Sequence, residues 1–507
     1  RGVLAEMRKW IVAAVLIVIV LPLTAVVGVA VWAMNTDFRP FAERKLSAAL
    51  ERPVKIGSLS IRWGDPLELD IKDLSIANPS WADSPDMITL AHAFARIDTM
   101  PLLHGTLRYE RLEIEKLVVV LERNPQGVGN WKFATGGGPS MPGPAVVPKN
   151  RQQMPTLLDF TISDSQIRYR TGSSHWLTID LANGAINTTG DDQPVTVTAD
   201  GAYNKTPAKL QLGGDSFIKM RDAAVPYGMT FALTNDLNAV NFHGTATNPL
   251  DFEGVKGAMT IDSKQFGALL KVLDADMPAD FPFDIAGDFA RTTDHWTLDG
   301  AKGQLAGNAF AGAVILDEGA RGSPDHIALD LDFERLLLDS VVEKMGSGKG
   351  PGDPGKAKLD LPGKQSPEFK LKLDASNFQF RKLRLAKLSI AGTLGPGHVS
   401  LERLRLPFAG STLTATGTAK QQGQASAVAL SADLPGANIT DFLKTFDVAT
   451  KEISGTIDAH ADLAGSGSTL DDLLAHRQGE AILAGHVDAP HVGTRLHHRL
   501  RELLAHL

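Results

Sequence analysis

The sequence predicts a mostly β protein: an elongated, curled antiparallel β-sheet that forms a groove, with a few short helices, preceded by an N-terminal transmembrane helix. Three observations predict it. Apolar and polar residues alternate at a spacing of two through most of the chain, the signature of strands wetted on one face. Such runs recur every 8–12 residues or so, which is the rhythm of hairpins and not of strand-helix alternation. An uncharged apolar stretch stands near the start.

That stretch runs from Trp10 to Met34, and at 1.5 Å per residue about 25 helical residues reach roughly 37 Å, enough to cross a hydrocarbon core of about 30 Å. Trp10, Ile11, Leu16, Pro22, Val26 and Trp32 are its anchor residues. Spanning helices tolerate a proline such as Pro22, at the cost of a kink. A cleaved signal peptide ending near Val31-Trp32-Ala33 is the rival reading, but signal cores run only about 7–15 residues. Arg8 and Lys9 before the span, against Arg39, Arg44 and Lys45 after it, do not decide its orientation. Met7 could be a native start.

After the span, Phe41 to Leu50 places Phe41, Leu46, Ala49 and Leu50 near one helical face, and Pro53 stops it. Strand candidates follow, and their apolar positions are the candidate groove residues. In the first β region these are Ile61, Leu67, Leu69, Ile71, Leu112, Ile114 and Val119. Leu158, Phe160, Ile162, Leu177, Ile179 and Phe231 come next, then Leu329, Leu331 and Phe333, and finally Leu371 and Leu373. Short helices are expected at Ser263 to Leu273, Glu334 to Met345, Asn438 to Phe446 and Leu470 to His476. The expected organisation is a cytoplasmic N-terminus (1–9), the transmembrane helix (10–34), a first β region (35–133), a Gly/Pro-rich linker (134–155), a β-groove region (156–345), a Gly/Pro/Lys-rich loop (346–367) and a C-terminal β region (368–507).

Composition narrows the function. A chain of 507 residues is too long for one compact core. Net charge is −7, spread evenly, and aromatics are 6%, so neither a basic surface nor stacking platforms for nucleic acid are present. The chain has no cysteine, which excludes disulfides and thiol chemistry.

The motifs that could carry chemistry are weak. Gly350 to Ala357 nearly matches a phosphate-binding loop, but Ala357 lacks the hydroxyl that would hold Mg²⁺ and prolines crowd the segment. His486, His491, His497 and His498 lack metalloprotease spacing. Gly465-Ser466-Gly467 is a glycine-serine turn, and Asp191-Asp192 precedes Gln193-Pro194 in turn chemistry. No catalytic constellation, cofactor site or metal site is expected.

One-sided strands with few covering helices must either close into small sandwiches or leave an apolar groove that holds something apolar. Pro53 to Pro85 then brings a family into view. Arg52, Pro53, Val54, Ile56, Leu59, Ile61, Gly64, Pro66, Leu67, Asn78, Pro79 and Trp81, followed by Pro101-Leu102-Leu103, Leu112-Glu113-Ile114 and Gly129-Asn130-Trp131, resemble the N-terminal region of the AsmA family of envelope proteins. Leu470 to Val487 resembles the family's C-terminal module, after which the chain stops sooner than expected at Leu507. The resemblance implies an inner-membrane protein with one span and its bulk in the periplasm. It also implies a rolled sheet conducting phospholipids toward the outer membrane, and a periplasmic or outer-membrane protein as partner at the C-terminal end. The expected function is a non-enzymatic lipid conduit, with a structural or assembly factor for outer-membrane proteins or envelope integrity as the alternative.

Overall fold

The computed structural model describes residues 37–488, leaving out 105, 123, 125–128, 132–153, 171–175, 251, 273–278, 320–322, 343–360, 364–365, 382, 424 and 445–453. The expected transmembrane helix, most of both expected loops, the phosphate-loop-like segment and His491, His497 and His498 lie outside the described residues. No described helix is long and apolar enough to cross a membrane. The chain forms two compact units, residues 1–260 with 290–293, and 261–289 with 294–507.

The first unit opens with helix α1 (Arg39–Leu50), which has Pro40 in its first turn and ends at Glu51 in the left-handed region (φ 51°). Its buried residues Ala42, Leu46 and Leu50 recur every four positions and form one face. The helix lies against the first strand, β1 (Val54–Arg62), where Ser47 Oγ accepts from the Val54 amide at 2.8 Å and Glu43 Oε1 from the Ile56 amide at 2.7 Å. Those bonds occupy amides on β1 that would otherwise be open for pairing.

From there the chain zigzags through β2 (Leu67–Ala77), β3 (Asp86–Ile97), α2 (Thr99–Leu103), β4 (Arg108–Leu121), the two-residue β5 (Thr156–Leu157), β6 (Asp159–Arg170), β7 (Trp176–Asn187), β8 (Val195–Tyr203), β9 (Thr206–Gly214), α3 (Phe217–Arg221), β10 (Tyr227–Thr234) and β11 (Asn238–Ala246). Neighbours pair antiparallel from β1 to β4 and from β6 to β11. Asp73, Lys116 and Asp164 have φ of 52°, 52° and 49°, and each is left out of the strand pairing together with the residue facing it. The register shifts elsewhere, between Ile76 and Ala77, between Arg96 and Ile97 and between Leu181 and Asn183, and bulges of that kind bend a strand and increase its twist.

Strand β12 (Val255–Ser263) and strand β13 (Phe283–Thr292) each have residues in both units. The second unit contains α4 (Phe266–Val272), β14 (His295–Leu305), β15 (Asn308–Asp317), β16 (His326–Phe333), β17 (Leu336–Leu337), α5 (Leu338–Val342), β18 (Glu368–Ala375), β19 (Phe378–Phe380), β20 (Leu383–Leu385), β21 (Leu388–Gly395), β22 (His398–Phe408), β23 (Ser411–Gln422), β24 (Ala425–Asn438), α6 (Ile439–Lys444), β25 (Ser454–Gly467), α7 (Leu470–Ala475) and β26 (Gln478–Asp488). Strands β17, β19 and β20 form a small separate sheet.

The mostly β class with few short helices is what the alternation predicts. The expectation of a wholly antiparallel sheet is corrected at two joins, since β6 runs parallel to β4 and β18 runs parallel to β16. A parallel pair cannot be closed by a tight turn and needs a long crossover. Both expected loops fall in those crossovers, within 122–155 and 334–367. Two local readings also change. Leu336 and Leu337 of the expected 334–345 helix are strand, because Leu336 pairs with Phe378, and among the described residues of that stretch Leu338–Val342 is helical. Gly465-Ser466-Gly467 is the end of β25 instead of a turn.

Candidate functional site

The strand registers decide which side chains share a face, because Cα partners point the same way. In the first unit one row crosses ten strands: Ile61, Leu69, Ala95, Leu112, Phe160, Ile186, Val197, Leu212, Phe231 and Phe242. A second row holds Leu59, Ile71, Ala93, Ile114, Ile162 and Gly184. Leu67 stands in register with Ile97 and Tyr109, Val119 with Ile167 and Ile179, and Leu177 with Tyr169. All the first-unit candidates therefore lie on this apolar face except Leu158, which sits between β5 and β6.

Burial divides the face. From β1 to β6 it is closed by the chain itself: Leu67, Leu69, Ile71, Leu112, Ile114, Val119, Phe160 and Ile162 are 0–9% exposed, in a core with Leu46, Leu50, Trp131 and Phe217. Leu177 on β7 is also buried, at 7%. Ile61, Ile179 and Phe231 are only partly covered. Glu122 braces this core from beside it. At 2% exposure, Glu122 accepts from the amides of Asp83 and Ser84 at 3.2 Å each and lies 3.5 Å from Arg170. The Tyr109 hydroxyl, fully buried, has no hydrogen-bond partner among the described residues, and burial holds its pKa far above the usual phenol value.

In the second unit, ten strands from β14 to β26 carry another row: Leu298, Val314, Leu329, Leu371, Gly392, Leu401, Gly417, Leu430, Leu463 and Gly479. Beside it run Ala301, Gly312, Leu331, Leu373, Ile390, Leu404, Ala415, Ala432, Ala461 and Ala481. The intervening positions are polar and form cross-strand pairs, with Lys372 Nζ 2.9 Å from Asp330 and His326 Nδ1 3.3 Å from Glu368. One edge of the apolar face is covered. Phe333 (1%), Phe310, Ala375 and Leu388 are buried there, the Phe266 ring of α4 lies tilted with its centroid 4.7 Å from that of Phe283, and α6 packs Ile439 and Leu443 against Leu434 and Ile457.

The rest of that face is open among the described residues. Leu329, Leu331, Leu371 and Leu373 are half-buried, and Leu394 and Leu430 are 39% and 40% exposed. An open hollow of about 720 Å³ lies here, lined by Leu401, Gly417, Leu430, Leu463 and Gly479 with Ser400, Thr416 and Gln478 around them. Gly417 shapes it, since a Cβ there would stand 3.2 Å from Leu430 Cδ1. Leu401, Leu430 and Leu463 were not singled out from the sequence. The apolar face of β23 to β26 is built largely of Ala and Gly alternating with Thr, Ser and Asp, which a search for large apolar residues passes over.

On the polar face His460 sits between two carboxylates, Nδ1 2.6 Å from Asp433 and Nε2 3.0 Å from Asp462, and those contacts raise its pKa. Asp191 is used structurally: it pairs with Arg108 at 3.1 Å and Arg221 at 3.6 Å and accepts from the Thr156 hydroxyl at 3.1 Å. His486 lies on β26, exposed. No group of three or more metal-ligating side chains occurs among the described residues.

The first unit has an apolar face that is self-packed from β1 to β6, and the second has an apolar face largely uncovered among the described residues, a surface suited chemically to apolar contact. No curated protein and no solved structure matches the chain. The AsmA family model matches residues 6–164, a span that includes α1, β1 to β4 and the start of β6. Over this N-terminal part the chain is similar to the AsmA family.

Proposed function

We propose that the chain is a membrane-anchored periplasmic conduit that moves phospholipids between the inner and outer membranes, their acyl chains lying on the apolar face of the sheet. One observation carries the reading: rows of Leu, Val, Ile, Ala and Gly cross ten strands of the second unit, and although Leu298, Ala301 and Ala415 are buried, most of their members are only partly covered or exposed among the described residues. Leaving such a face in water costs about 25 cal/mol per Å², and an acyl chain offsets that at about 0.8 kcal/mol per buried CH₂. Rows in register offer a guest a succession of similar sites, so the barrier between neighbours is low, and sliding needs no catalytic group. The family match over residues 6–164 is consistent with an envelope role. The guest-bearing candidates are then Leu329, Leu331, Leu371 and Leu373 with Leu401, Leu430 and Leu463, while Leu67, Leu69, Ile71 and their neighbours hold the fold. The full chain reconstituted between donor and acceptor vesicles should accelerate transfer of a fluorescent phospholipid. Transfer no faster than in protein-free vesicles contradicts the proposal.

A further inference from the structure

The first unit places an unusual set of apolar side chains at one end of its sheet. Strands β1, β3, β7 and β9 finish at that end, so it is where α2 and α3 lie. Helix α2 buries none of its residues, and Met100 and Leu103, three apart on one face, are 58% and 76% exposed. In α3 and the turn after it, Phe217 goes into the core at 4% while Ile218 and Val225 stay 53% and 45% exposed. Both segments are pinned to this end. Asp98, just before α2, pairs with Arg108, Arg108 pairs with Asp191, and the Asp191 carbonyl accepts from the Ile218 amide at 3.0 Å. Thr99 bonds to Asp65 in the β1–β2 turn at the same end.

The N-terminal end of α1 faces this side. Helix α1 runs antiparallel to β1, with Arg39 Nη1 donating to the Gly57 carbonyl at 3.1 Å and its C-terminal end at the opposite edge. From Gly57, five strand residues at about 3.3 Å each lead roughly 16 Å to Arg62 at the exposed apolar end. The apolar stretch 10–34 stops five residues before Arg39, a chain length that spans a similar distance, roughly 16–18 Å.

We propose that this end of the first unit is a bilayer-contacting rim, in which Met100, Leu103, Ile218 and Val225 sit in the interface of the membrane that holds residues 10–34. The proposal rests on the anchored reading of that stretch. Rim contact is apolar in origin, because the nearby carboxylates Asp98 and Asp191 are engaged by Arg108 and Arg221. Contact therefore persists on zwitterionic lipid and at high salt. Its role in transfer is to seat the start of the sheet against the lipid source.

The absence of cysteine makes the test direct. Leu103→Cys, Ile218→Cys and, at the opposite end, Ser80→Cys each receive a polarity-sensitive fluorophore in the full chain, reconstituted in phosphatidylcholine vesicles carrying lipid-borne quenchers. The expected result is quenching at 103 and 218 with depths on the order of 5–10 Å below the headgroups, and none at 80. Protein that floats with the vesicles but is quenched equally at all three sites, or at none, overturns the rim alone. Protein that stays out of the vesicle fraction overturns the anchored reading and the rim with it.

Discussion

Leu430→Glu separates a lipid-bearing face from a merely exposed one. Leu430 is 40% exposed and stands in register with Gly417 and Leu463 beside the hollow. Full burial of a leucine is worth about 1.5–3 kcal/mol, so this partly covered side chain contributes at most about 1–2 kcal/mol to folding, and the variant remains folded. A hydrocarbon guest, by contrast, must displace water from the new carboxyl, which it tolerates only in the neutral form. With an ordinary pKa of about 4.3, holding that group protonated at pH 7 costs about 3.7 kcal/mol, a loss of roughly 500-fold in occupancy. At pH 5 the same cost falls to about 1 kcal/mol, so occupancy recovers by about 100-fold as pH falls. The assay is the yield of phospholipid photoadduct from a photoreactive residue at Leu401, which shares the row, in the full chain in native membranes. Leu430→Gln, which has no proton to gain, loses occupancy without the pH dependence. Adduct yield unchanged by Leu430→Glu at pH 7 refutes the reasoning.

Other outcomes follow from the two kinds of apolar residue. Leu69→Ala, at 1% exposure in the first-unit core, should cost about 2–5 kcal/mol in denaturant unfolding of that unit, and Leu430→Ala clearly less. Tyr109→Phe removes a buried hydroxyl without a partner, so it should leave stability unchanged or raise it by up to about 1 kcal/mol. For His460 the folded pKa is raised by Asp433 and Asp462, so its contribution is complete below the ordinary value of about 6.5 and fades as pH rises through the folded value. NMR titration should place the His460 midpoint above that of an exposed histidine, and Asp433→Asn should lower it.

Much of the fold was legible in the sequence because strand alternation is a local signal. Leu67, Leu69 and Ile71 declare β2 without knowledge of any partner strand, and Pro40 and Pro53 bracket α1. The two parallel joins were not legible, since nothing in β4 or β6 alone states the direction of its neighbour. Only the length of the Gly/Pro-rich segments hinted at a crossover. The candidate face was half legible. Alternation told which residues share a side, yet it does not distinguish Leu112, packed under other strands, from Leu371, half open. That difference is set by α1, Trp131 and Phe217, which close over one part of the sheet from distant positions in the chain. In β23, Ala415, Gly417 and Ala419 form the apolar side with so little bulk that only their alternation with Thr414, Thr416 and Thr418 marks them.

The most direct measurement walks a photoreactive residue one position at a time along β24 from Ala427 to Ala432 in the full chain, identifying each adduct by mass spectrometry. Phospholipid adducts at 428, 430 and 432, with none at 427, 429 and 431, are the result predicted by acyl chains lying on the apolar face. Polypeptide adducts at 428, 430 and 432, or lipid adducts without the two-residue period, would contradict it.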